Sequence, residues 1–245
     1  MIYVTDGSFE GILTAIFAAY ENKEVPESIV SRDFYQMSLD TDVREIDTDE
    51  EKSGRVYHTV IQKMSHEAIE TMYKAWLSEH FDIGTALYKY IKIGLKVGRK
   101  ILSYLQDPDV LLVHDLAYKV TGEAHGFLGM LRFKKLNSGL FYSKIEPDNN
   151  ITMIIAEHFK DRLSDQPWII HDAKRSIFAL YDTDQVIFIK ESISIPVDNC
   201  EDKIYEELWK NYFKTIAIES RKNIKRQKQF LPRRYWKNLT EMQQY

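Results

Sequence analysis

The sequence predicts an α+β fold: a mostly antiparallel sheet flanked by helices, with a long C-terminal helix and a basic tail. Three observations predict it. Apolar residues recur at helical spacing from residue 65 to 122. From residue 126 to 190 the chain breaks into short β-prone runs separated by turn residues. The connections between those runs are short, which favours antiparallel pairing and segregated helices. At 245 residues, 44% hydrophobic and 29% charged, the chain can bury a sizeable core. It is read as a single α+β unit over residues 1–245, mainly helical in 1–122 and sheet plus C-terminal helix in 123–245.

Residues 1–5 read as a short strand. Asp6 offers a cap to a helix carrying Phe9, Ile12, Leu13, Ile16, Phe17 and Tyr20 on one stripe, and Val25-Pro26 ends it. Short strands are read at 28–34 and 55–60. The acidic run between them (Asp40, Asp42, Glu45, Asp47, Asp49, Glu50, Glu51) reads as a solvated loop. Three helices follow. One spans 65–80 and a second 83–105, where Gly94 and Gly98 permit close approach of a neighbour. A third begins after Asp107-Pro108 and stops at Gly122. Residues 126–136 and 140–145 read as the arms of a hairpin turned at Asn137-Ser138-Gly139. A helix over 151–163 leads to strands at 168–171, 176–181 and 185–190, the last two joined through Asp182-Thr183-Asp184. A helix from about 202 to 221, with Leu208, Trp209, Tyr212 and Phe213 inside, closes the fold.

Several chemistries are excluded by composition. No apolar run is long enough to span a bilayer, and the start MIYVTDGSFEG lacks the basic-then-apolar plan of a signal peptide. Cys200 is the sole cysteine, so neither an intramolecular disulfide nor a cysteine-ligated cluster can form within the chain. A reducing cytoplasm is the expected compartment. Phosphate-loop, dinucleotide, zincin and serine-elbow motifs are absent, and no histidine pair has metal-ligand spacing. No cofactor and no metal are expected for this chain.

The candidate chemistry lies in the sheet region. Glu123 and His125 open the hairpin and Arg132 follows in the same segment. His171-Asp172 ends a later strand. A histidine can move protons near neutral pH and a carboxylate can orient it. For His125 and His171 the competing role is a hydrogen-bonded strand end.

Residues 221–237 (RKNIKRQKQFLPRRYWK) hold eight basic residues and no acid: Arg221, Lys222, Lys225, Arg226, Lys228, Arg233, Arg234 and Lys237. The whole chain carries −4, so the rest sums to −12. Phe230, Tyr235 and Trp236 are interleaved. Cations attract phosphates and aromatic faces stack on unpaired bases, so the tract predicts a polyanion contact. The alternative is a solvated segment whose charges face water and whose aromatics dock on the core.

Asp6-Gly7-Ser8-Phe9-Glu10-Gly11, Thr121-Gly122-Glu123-Ala124-His125 with Leu131-Arg132-Phe133, Glu157-His158-Phe159, Trp168-Ile169-Ile170-His171-Asp172, Gln227, and Leu231-Pro232-Arg233-Arg234-Tyr235-Trp236 occur in family order. Together they resemble the family labelled "probable DNA metabolism protein", domain of unknown function 4130. The resemblance implies association with DNA repair or modification. Such proteins accompany a radical S-adenosylmethionine protein, and some are joined to a uracil-DNA glycosylase domain. The cluster cysteines and the glycosylase motifs are absent here, so a separate enzyme would supply that chemistry. Two functions follow as expectations. One is an accessory module holding single-stranded or damaged DNA through Arg221, Lys222, Lys225, Arg226, Lys228, Arg233, Arg234, Tyr235, Trp236 and Lys237. The other is an enzyme acting on nucleobase or DNA backbone through His125, His171 and Asp172, with Glu123 and Arg132.

Overall fold

The computed structural model describes residues 1–35, 42–136, 139–190 and 223–242. The chain forms two compact units, Met1–Thr121 and Gly122–Tyr245. Among the described residues no helix is long and apolar enough to cross a membrane, and no group of three His, Cys, Asp or Glu residues could hold a metal ion. Cys200, the helix read over 202–221, Arg221, Lys222 and the turn residues Asn137 and Ser138 lie outside the described residues.

The first unit is built on three strands, β1 (Ile2–Thr5), β2 (Ser28–Ser31) and β3 (Val43–Glu45), in the order β2-β1-β3. Both pairings are parallel, which corrects the antiparallel expectation for this half. Helix α1 (Phe9–Glu21) makes the crossover from β1 to β2, and a helix of this kind is what a parallel connection requires. Its cap is Ser8, whose Oγ accepts from Gly11 N at 2.9 Å, rather than Asp6. Asp6 instead accepts from Ser8 and Thr48 and braces the capping turn.

Residues 55–60 are helical, not a strand: α2 spans Glu50–Lys63. The last of the acidic run starts it. Asp49 caps it through Lys52 N, and Glu50 and Glu51 fill its first turn, where carboxylates complement the helix dipole. α3 (His66–Trp76) follows, capped by Ser65 through Ala68 N. α4 (Ile83–Val97) passes at Gly98 into a 3-10 turn. At Gly94 the Met64 thioether packs against the α4 backbone: a Cβ there would lie 2.3 Å from the Met64 Cε, at the movable end of that side chain. Tyr3, Leu13, Ile16, Ile29, Met72 and Leu87 form the centre of this core.

α5 (Pro108–Met130) is longer than expected and crosses the boundary between the units. Gly122 does not stop it. A single glycine costs a helix about 1 kcal/mol, which Val120, Ala124 and Phe127, all buried, outweigh. The expected first hairpin arm therefore shrinks to β4 (Lys134–Lys135), antiparallel to β5 (Phe141–Ile145).

From β5 the chain passes through α6 (Thr152–Arg162) to β6 (Trp168–Asp172). β5 and β6 are parallel. β7 (Ile177–Tyr181) and β8 (Val186–Lys190) then add antiparallel neighbours, giving the order β4-β5-β6-β7-β8. This sheet is mixed, so α+β is correct but "mostly antiparallel" holds only for three of its four pairings. The β7–β8 turn forms as read, with Asp182 Oδ1 accepting from Asp184 N and Gln185 N. Trp168 is fully buried and stacks on Tyr181 at 5.3 Å. The last described segment is not an extended tail. It folds as α7 (Ile224–Phe230) and two 3-10 turns, Arg233–Asn238 and Thr240–Met242.

Candidate functional site

The motif residues of the second unit meet at the loop that follows β5, Glu146-Pro147-Asp148-Asn149. Glu123 reaches it from α5. Its carboxylate accepts from Asp148 N at 2.7 Å, Asn149 N at 2.8 Å and Asn149 Nδ2 at 2.6 Å. The Tyr235 hydroxyl donates to the same carboxylate. Burial, and then the bond to Glu123, hold the Tyr235 phenol well above its ordinary range, so it stays a donor at all physiological pH. With four donors Glu123 is a brace, not an open base.

A buried ion pair grips the loop from the other side. Asp172, fully buried, pairs with Arg175 at 3.0 Å and also accepts from Lys174 N and Arg175 N. The Arg175 guanidinium continues to Pro147 O at 3.1 Å and Asp148 O at 2.6 Å. Lys174 Nζ donates to Asp148 O at 2.9 Å. Burial raises the Asp172 carboxyl above the usual carboxylate range, and Arg175 opposes that rise. The C-terminal segment adds two surface pairs, Arg234 with Asp148 and Lys237 with Glu146. Lys237 is the main reason the Glu146 carboxyl lies below its ordinary value.

The proposed catalytic set does not gather. His125 is exposed on α5, whose helical path removes it from the sheet where it was expected. His171 and Asp172 are neighbours in β6 and so face opposite sides. The His171 ring lies flat on Phe178 at 4.0 Å, and its Nδ1 is 2.7 Å from the Tyr142 hydroxyl. Burial and the charge of Lys144 push its pKa down. Arg132 donates to Gly129 O and Leu131 O and finishes the end of α5. Among the described residues no hydrogen bond joins any two of His125, His171 and Asp172.

The basic tract divides. Arg234 and Lys237 are held by acids. Tyr235 packs on Phe127 at 4.9 Å, and Trp236 is buried with Leu239 and Met242, its indole donating to Leu231 O at 2.9 Å. Neither buried ring offers a face to a base, which corrects their expected stacking role. Arg233 lies over Trp236. Lys225, Arg226 and Lys228 point outward from α7, and among the described residues none has an ion-pair partner. Phe230 ends the helix 73% exposed. Gln227, on the inner face, donates to Met242 Sδ and ties α7 down.

The model of a domain of unknown function, DUF4130, matches residues 81–241, a span that contains every residue of this network. The chain belongs to the DUF4130 family. No curated protein and no solved structure matches it. Within the DUF4130 domain the motif around Glu123 and the Arg233-Arg234-Tyr235-Trp236 motif are thus partners in one network rather than separate sites. Sequence reasoning missed Asp148 and Asn149. Their signal was present in Glu146-Pro147-Asp148-Asn149-Asn150, a run of turn-forming polar residues between a strand and a helix.

Proposed function

We propose that the chain is a DNA-binding accessory protein that holds single-stranded or damaged DNA through α7 for a separate enzyme. The observation that carries this reading is α7: Lys225, Arg226 and Lys228 are exposed without acidic partners among the described residues, beside the exposed ring of Phe230. Residues 223–240 contain no Asp or Glu, so nothing nearby in sequence competes with phosphate for these cations. Residues 122–245 carry twenty Lys or Arg against seventeen Asp or Glu, net +3, whereas residues 1–121 carry thirteen against twenty, net −7. The polyanion-binding half is therefore the second. The resemblance described above supplies the class of partner, a radical S-adenosylmethionine protein or a uracil-DNA glycosylase.

Fluorescence anisotropy of a labelled single-stranded oligonucleotide, titrated with the protein at several salt concentrations, tests the reading. Salt-dependent binding that is lost in the Lys225→Ala, Arg226→Ala, Lys228→Ala triple variant supports it. Absence of binding at low salt by a folded protein overturns it. Cleavage of a uracil-containing oligonucleotide by this chain alone would overturn the accessory role.

A further inference from the structure

The first unit carries a cleft of its own. It has a volume of about 840 Å³ and opens between the start of α1, the start of α2 and the face of α3. That is the size of a ligand site rather than of a packing defect. All its lining residues fall between 8 and 73, outside the span matched by the DUF4130 model. Phe9, Leu13 and Ile69 make its floor apolar, and Tyr57 and Tyr73 stand at its sides. Phe9 and Tyr73 meet edge to face at 5.5 Å, which fixes the two rings.

Gly54 lies in the wall of this cleft. It sits inside α2, where glycine weakens a helix, yet a Cβ placed on it would meet nothing within 4 Å. No internal packing requires the missing side chain. Its absence keeps the cleft open.

The charges choose the ligand. Glu10, Glu50 and Glu70 line the cleft, no Lys or Arg does, and among the described residues none of the three has an ion-pair partner. A second cleft of about 650 Å³ shares Thr48 and Glu50 with the first and adds Glu45, Asp47 and Asp49. Its one cation, Lys52, reaches back to Glu21 at 3.5 Å. The two clefts adjoin at Thr48 and Glu50, one lined by acids and the other also by aromatic and aliphatic side chains. Phosphate is repelled there, and the start of α2 is already satisfied by Asp49. An aliphatic stem ending in a cation fits both halves, lying along the apolar floor and over the tyrosine faces while its charge meets the carboxylates.

We propose that this groove docks a basic polypeptide segment of a partner protein, with a lysine or arginine side chain seated between Tyr57, Tyr73 and Glu10. The groove's length, spanning two adjoining clefts, suits an extended chain better than a single small cation. This site is independent of α7 and of the DNA-binding reading, because it lies in the other unit and selects the opposite charge.

The test is anisotropy of a fluorescein-labelled octapeptide of alternating lysine and alanine, with the full chain at low salt. Glu10→Gln with Glu70→Gln should weaken binding about five- to tenfold. Gly54→Leu should weaken it at least as much by filling the pocket, while the melting temperature holds or rises because leucine favours the helix. Glu27→Gln with Asp33→Asn, exposed acids outside the groove, should stay within twofold. The proposal is overturned if Gly54→Leu binds like the parent or if the outlying pair matters as much as the groove pair. Displacement of the peptide by spermine at equal amine concentration would assign the groove to a small polyamine and overturn the polypeptide occupant.

Discussion

The Tyr235 hydroxyl donates to the Glu123 carboxylate across 112 residues of sequence, and this contact closes the network that holds the loop after β5. Tyr235→Phe removes one donor from a carboxylate and should cost about 1.5–3 kcal/mol of stability. Glu123→Gln alters the same bond and leaves Asn149 facing a partner with fewer acceptors. In a double-mutant cycle monitored by urea denaturation, the two changes should couple by about 0.5–3 kcal/mol. Strict additivity would mean the contact contributes nothing.

Arg175 is the more sensitive end of the network. Arg175→Met leaves Asp172 charged, buried and short of its main partner, which should cost about 3–5 kcal/mol. Asp172→Asn with Arg175→Met restores neutrality and should recover part of that loss. Thermal unfolding of the two variants side by side decides it.

Trp236→Ala should destabilise by about 3–5 kcal/mol as a core truncation. Phe230→Ala should leave the melting temperature unchanged and weaken single-stranded DNA by about 1–3 kcal/mol. If instead Trp236→Ala folds normally and loses DNA, the buried ring is not structural.

Among the described residues of the tract, the salt dependence of binding should reflect the cations without acidic partners. Lys225, Arg226, Lys228 and Arg233 are four candidates for phosphate contact, so three or four contacts to a single strand predict a slope of log affinity against log salt of about −2 to −3. Phe230→Ala should not change the slope, because stacking releases no counterions. Replacing Lys237 should lower stability slightly and leave the slope alone, since Glu146 already neutralises it.

His171 predicts the acid side of the stability profile. Its folded-state pKa is depressed, first by burial and then by Lys144, with Asp172 and Glu146 acting in the opposite sense. A depressed histidine is neutral when folded and takes up a proton on unfolding. Stability therefore falls as pH drops from about 6.5, the unfolded value, to the folded pKa, and levels off below it. His171→Gln should flatten this decline in melting temperature between pH 7.5 and pH 5. The slope will not vanish entirely, because His114 is depressed by burial in the same direction.

Helix and strand positions were legible wherever periodicity ran uninterrupted, as in α1, α3, α6 and β6 to β8. Strand direction was not, because β1 and β2 are joined by a helix that period alone does not tie to a parallel crossover. The end of α5 was misread at Gly122, where three buried apolar residues override a local stop signal. For the site, residues read as separate candidates are hydrogen-bonded to one another. Glu123 and Tyr235 read as a hairpin acid and a stacking aromatic, whereas they satisfy each other, and a bond between positions so far apart leaves no trace in local pattern. The charge count of the tract was visible, but its division into held and free cations depended on Glu146 and Asp148, which sequence does not bring near it.

The length of chain between Glu123 and Tyr235 also sets a delay. At a synthesis rate of about 5–20 residues per second, the separation of 112 positions leaves the nascent Glu123 waiting roughly 6–22 s for its phenol. During that interval the loop after β5 lacks one of its clasps and the Trp236 cluster has yet to exist. All five strands of the second sheet are made by Lys190, so what arrives last is the brace across the sheet's loop and not the sheet itself.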